Sequence, residues 1–208
     1  MQLAIDWPSP ATSAPQLCLL LPAAGAADDA MLPLAEALRA AFREAAIAAP
    51  RELFSATVDR SRAAWAHRWV RLMQQRAGAT PQATLLAGVG SGADLALALV
   101  IGHDGLAGRV LSFGGGWAEP PTAAPLATTL HLLHGSADPR LPAGQVRGML
   151  GHLGVLHADA TLDLAEAVAD PLHPALIDCA LHRLRNHIPL RTWQAALGAA
   201  RQAPGAAN

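Results

Sequence analysis

Residues 85–97 read Leu-Leu-Ala-Gly-Val-Gly-Ser-Gly-Ala-Asp-Leu-Ala-Leu: an apolar run, a turn of three glycines and a serine, then a second apolar run. A buried strand that turns sharply into a buried helix satisfies both halves of this pattern. The rest of the chain repeats the alternation. Strand-like stretches are expected at 3–7, 16–21, 45–49, 84–89, 109–113, 128–134 and 161–165. Helices are expected between them. One carries Met31, Leu34, Leu38 and Phe42 on one face, with Asp28 or Asp29 as its cap. A second carries Trp65, Trp69 and Leu72, capped by Asp59 or Ser61, and the others fall at 91–101, 142–153, 174–186 and 192–201. Strand and helix in turn give an α/β fold with a mostly parallel central sheet, flanked by helices on both faces. The 208 residues fit one domain over 1–201 and a frayed tail at 202–208.

Composition narrows the partners. All 15 basic residues are arginine, and the formal charge of −1 gives no reason to expect nucleic acid or an anionic membrane surface. No apolar run reaches spanning length, since 17–21 is stopped by Pro22, so no integral membrane segment is expected. The first residues lack a basic stretch followed by a long apolar one, which makes a cytoplasmic protein the default. Two cysteines are too few for a disulfide framework, and Cys18 and Cys179 read as buried thiols. His131 and His134 lie three apart on a strand and point to opposite faces, which argues against a two-histidine metal site. No metal and no cofactor are expected.

In such a sheet, chemistry gathers at the carboxyl ends of the strands. Four segments stand there: Pro22-Ala23-Ala24-Gly25, Gly88 to Gly92, His134 to Pro139, and Asp170-Pro171-Leu172-His173. Gly88-x-Gly90-x-x-Ala93 matches a dinucleotide loop as written, but the following strand, ending at Phe113 and glycines, lacks the acidic residue that would hold a ribose. A nucleotide-binding α/β protein using this loop therefore stays as an alternative.

In this order the segments resemble the carboxylesterase/phospholipase branch of the α/β-hydrolases, in particular the bacterial serine esterases similar to acyl-protein thioesterases. The resemblance runs from the first central strand to the segment around His187, with His134-Gly135-x-x-Asp138-Pro139 as its most specific piece. It implies a hydrolase domain without a separate lid, a serine nucleophile on a Gly-x-Ser-x-Gly elbow, a triad aspartate at Asp138, and a late histidine as base. It also implies an oxyanion hole of backbone N–H groups around Ala23, Ala24 and the elbow.

The chain departs from that pattern at the reacting groups. Gly88 and Gly92 match the outer elbow glycines, but Gly90 stands where the serine belongs. Pro22-Ala23 replace a His-Gly pair, and Asp170 falls at the base position unless the loop is shifted by three residues to bring in His173. The segment after Pro50 also looks shortened. Glycine has no side chain with which to attack an ester. The resemblance thus implies a degenerate member that keeps a pocket for an ester or acyl ligand, or a partner-binding role. An active esterase or thioesterase using Ser91, Asp138 and His173 is the rival reading.

Each candidate has a plain structural alternative: Ser91 as a helix cap, Asp138 as a turn residue before Pro139, and His173 as a loop histidine. Trp117 either walls an acyl pocket or anchors its loop. Trp65 and Trp69 read as core, and His182 and His187 as surface or helix-end residues. A homodimer contact on an Ala/Leu-rich surface helix is compatible with the sequence.

Overall fold

The computed structural model describes residues 3–10, 16–51, 60–117 and 119–202. Seven strands form one sheet: β1 (Leu3–Trp7), β2 (Leu17–Leu21), β3 (Ala46–Pro50), β4 (Thr84–Val89), β5 (Arg109–Phe113), β6 (Thr129–Gly135) and β7 (Ala160–Ala165). Their order is β1-β3-β2-β4-β5-β6-β7. Only β1, at the edge, runs antiparallel to its neighbour. The helices are α1 (Leu32–Ala41), α2 (Arg60–Ala77), α3 (Ser91–Gly102), α4 (Ala143–Val155), α5 (Pro174–Asn186) and α6 (Leu190–Gln202).

The continuous apolar runs follow from burial on both faces. Along β2, Leu17, Leu19 and Leu21 enter one core with α2, α3 and α4, while Cys18 and Leu20 enter the other with α1 and α5. On α2, Trp65 and Trp69 stack one turn apart, with ring centroids 6.2 Å apart, and Trp69 is buried in the first core.

Two helix starts differ from the sequence expectation. α1 begins at Leu32 behind Met31, with no side-chain cap. Its entry is a backbone turn, Leu32 N–H donating to Asp29 O at 2.9 Å, and Pro33 sets the first-turn φ without needing a donor partner. Asp28 instead pairs with Arg51 at 3.1 Å. Ser61 lies inside α2, and Asp59 is outside the described residues. A short 3₁₀ turn at Pro81–Ala83, capped by Thr80, precedes β4 and was not expected.

A polar network closes the amino-terminal end of β5–β7. Asp159 accepts from Thr129 Oγ1 at 2.7 Å and from the Leu190 N–H at 3.0 Å, and lies 3.0 Å from His187 Nε2. Burial alone would raise the Asp159 carboxyl, but these hydrogen bonds outweigh it and hold the group below its ordinary value. Arg191 donates to Thr129 Oγ1 and Gly108 O, and Arg109 to the carbonyls of Arg183 and His187. His131 is fully buried, with Nδ1 2.8 Å from Thr161 Oγ1 and its ring edge-on to His187. Burial, together with the charge of Arg109, pushes its pKa down to about 3. His187 is thus a helix end, as its position suggested, but one built into a network.

Candidate functional site

The strand-to-helix turn at 88–92 is tightly constrained. Gly90 caps α3 with φ +54° and ψ −121°, a conformation that L side chains rarely adopt. It is held there by its own N–H donating to Phe113 O and by its carbonyl accepting from Ala93 and Asp94 N–H. The flanking glycines allow the turn to close. A β-carbon on Gly92 would lie 2.0 Å from Leu21 O, and one on Gly88 would lie 2.4 Å from Gly92 O. The start of α3 is therefore pressed directly against the end of β2. At Gly90 itself there is room, since a β-carbon would meet only the Ala23 side chain, at 3.5 Å.

Ser91 is the first residue of α3, and its Oγ accepts a hydrogen bond from the Ala24 N–H at 2.8 Å. The serine ties the turn to the Pro22–Gly25 loop across the sheet end. Gly90, Ser91, Ala23 and Ala24 are thus gathered at one point, as expected from the carboxyl ends of neighbouring strands.

Asp138 follows β6 in a turn pinned to the loop after β7: Ser136 and Ala137 donate backbone N–H groups to Ala165 and Val168. Its Oδ1 accepts from the Arg140 N–H at 2.8 Å. Its Oδ2 faces His134 Nδ1 at 3.8 Å, beyond hydrogen-bond distance. His134 Nε2 lies 2.7 Å from Leu141 O. A carbonyl only accepts, so that nitrogen carries the hydrogen, and Nδ1 is left buried without a partner. His134, passed over as a strand histidine, is thus the imidazole beside the Asp138 carboxylate.

The loop bearing Asp170 and His173 reaches the same end, where Pro171 and Asp138 Oδ2 both flank Gly114. His173 is the N-cap of α5, its Nδ1 accepting from the Ala175 N–H at 3.2 Å. Asp170 Oδ1 accepts from the Leu172 N–H in an exposed turn. Ser91, Asp138 and His173 do not hydrogen-bond one another; each is engaged by its own backbone surroundings.

Asp94 was missed by sequence reasoning. It accepts from the Gly116 N–H at 2.7 Å and pairs with both terminal nitrogens of Arg140, which also donates to Gly114 O. A single acid in the otherwise apolar 91–102 helix was the available signal, because charges on such a helix need a partner. Trp117 packs against the core formed with α4 and meets His152 edge-on, with His152 Nε2 2.7 Å from Pro121 O. A 140 Å³ cavity lies at the opposite end of the sheet, lined by Leu17, Leu85 and Arg109 at strand starts and by Phe42 and Leu184. Among the described residues no cluster of three or more His, Cys, Asp or Glu is placed to hold a metal, and no helix is long and apolar enough to cross a membrane.

No family model matches the chain. Among curated proteins it is similar to Esterase YpfH of Escherichia coli, 34% identical over 128 residues, or 62% of this chain. The match spans about half, 55%, of that relative's length. Among solved structures it resembles esterase PE8, with a TM-score of 0.75 and 21% identity over 90% of this chain and 100% of that one. It also resembles a phospholipase/carboxylesterase from Dyadobacter fermentans, with a TM-score of 0.72 and 18% identity over 89% and 96% of the two chains. A third likeness is the Bacillus cereus carboxylesterase, with a TM-score of 0.73 and 15% identity over 88% and 93%.

Proposed function

We propose that this chain, which has the α/β-hydrolase fold of the carboxylesterases and phospholipases it resembles, is a catalytically degenerate member that binds an ester or acyl ligand without forming an acyl-enzyme. The observation that carries this reading is Gly90: the sharp turn is built and held, yet its tip bears no side chain. A covalent step needs a nucleophile, a base within reach and donors for the developing oxyanion. The backbone donors are still in place: the Ser91 N–H at the start of α3, where the helix dipole also favours negative charge, and the Ala24 N–H beside it, which here donates to Ser91 Oγ.

The other two requirements are poorly met. Ser91 has the only hydroxyl on the turn, and its oxygen is engaged by the Ala24 N–H, the donor an oxyanion would need. His173 has its Nδ1 lone pair committed to capping α5, so that atom is not free to donate to Asp138. For the rival esterase, His173 would have to leave its cap and Ser91 would have to leave Ala24. A cytoplasmic location is part of the same proposal.

Stopped-flow hydrolysis of 4-nitrophenyl acetate tests it. The expected result is no burst of nitrophenolate and a slow rate that Ser91→Ala leaves within about threefold, as residual electrostatic rate enhancement requires no acyl-enzyme. A stoichiometric burst abolished by Ser91→Ala would establish the rival.

A further inference from the structure

We propose that α6 forms half of a two-fold interface between two copies of this chain. Of the large apolar side chains left well exposed, four fall within ten residues: Ile188, Leu190, Trp193 and Leu197, at 51%, 42%, 54% and 57% exposure. Leu190, Trp193 and Leu197 follow the three–four spacing of a helix seam and form one stripe.

Among the described residues, α6 packs extensively against no other helix or strand. It is held at its first turn, by the Leu190 N–H on Asp159 and by Arg191 on Thr129 and Gly108. A 13-residue helix is marginal in water without tertiary packing. Its stripe therefore marks a missing contact rather than ordinary surface.

A second copy fits this face. From Thr192 to Ala200 the helix carries no charged residue, so two copies of α6 can lie antiparallel without bringing like charges together at the seam. Ala196, which flanks the stripe on one side, is small enough for close approach. A hollow of 370 Å³ opens beside the stripe, lined by His182, Arg183, Asn186, His187, Ile188 and Trp193; the Arg183 guanidinium is paired with Asp163. Knob and hollow on the same face make it self-complementary, as a two-fold contact requires. Four half-exposed side chains offer roughly 300–400 Å² of apolar surface per copy. Doubled, and with its polar rim, this approaches the ~1,200 Å² at the lower end of stable interfaces. The dimer should accordingly be concentration-dependent.

Sedimentation velocity from low to high micromolar protein tests the proposal. The wild type should shift from monomer to dimer across that range. Trp193→Glu should weaken dimerisation by more than about tenfold, because a central tryptophan is the anchor of such a contact. Leu126→Glu, at an exposed leucine outside the stripe, should leave it unchanged. Far-UV circular dichroism at the same concentrations checks that both variants are folded. A wild type that stays monomeric throughout, or a dimer untouched by Trp193→Glu, overturns the proposal. So does a monomer that binds lipid vesicles through Trp193, which would make the stripe a membrane contact.

Discussion

Folding stability measured by urea denaturation should fall by about 2 kcal/mol between pH 7 and pH 5 through His131 alone, and His131→Leu should remove that part of the slope. The imidazole is buried beside Arg109 and takes up a proton in the folded chain only near pH 3. In the unfolded chain it does so near its ordinary 6.5. Between those values the unfolded state binds more protons, so stability is full above about 6.5 and is lost as pH falls towards 3. The groups facing His131 do not reverse the sign. Arg109 and Arg183 stay cationic and oppose its charging, the neighbouring His187 ring opposes it as well, and Asp159 favours it by less. Asp159 is itself held below its ordinary value of 3.8, so its contribution is lost only as pH falls below about that value, outside the pH 7 to 5 range compared. A wild type and a His131→Leu variant with parallel pH profiles would contradict the assignment.

The second large effect is steric. Gly92→Ala should destabilise the fold by at least ~3 kcal/mol, enough to leave little folded protein in a domain of ordinary stability. The new β-carbon would sit 2.0 Å from Leu21 O and 2.5 Å from Pro22 O, and both are backbone atoms that cannot rotate away. Relief would require α3 to lift from β2 and would break the Ser91–Ala24 bond that closes the turn. Gly144→Ala, where a β-carbon on α4 meets nothing within 4 Å, is the matched control and should be neutral or slightly stabilising. Thermal melts of the two variants give the comparison directly. A Gly92→Ala protein that melts with the wild type would mean that the turn is not packed as described.

The sheet was legible because its pattern is physical. Strands buried on both faces read as unbroken apolar runs, and β4, β5 and α5 begin and end where the sequence placed them. The boundaries that shifted were set by backbone rather than side chains. The start of α1 is a carbonyl–amide turn, which leaves no cap residue to read. The glycines of the elbow were legible for a related reason: close backbone approach demands Gly88 and Gly92, and the positive φ of the tip suits Gly90.

The polar partnerships of the site were less legible. The Asp94–Arg140 pair joins residues 46 positions apart, and the facing of His134 and Asp138 depends on where a turn directs a carboxylate. The Asp159–His187–Leu190 network joins β7 to the start of α6 through bonds that no periodicity announces. The resemblance to carboxylesterases supplied the order of the segments, but the residues that depart from it had to be judged by their surroundings. Those surroundings engage Ser91 and His173 in structural bonds.

Fluorophosphonate labelling of the folded protein, with the adduct mapped by peptide mass spectrometry and Ser91→Ala as control, tests the loss of the covalent step most directly. The account predicts no adduct at any serine of the turn. A stoichiometric adduct on Ser91, absent from the control, would contradict it: the chain would then be a serine hydrolase whose nucleophile stands one residue past the tip.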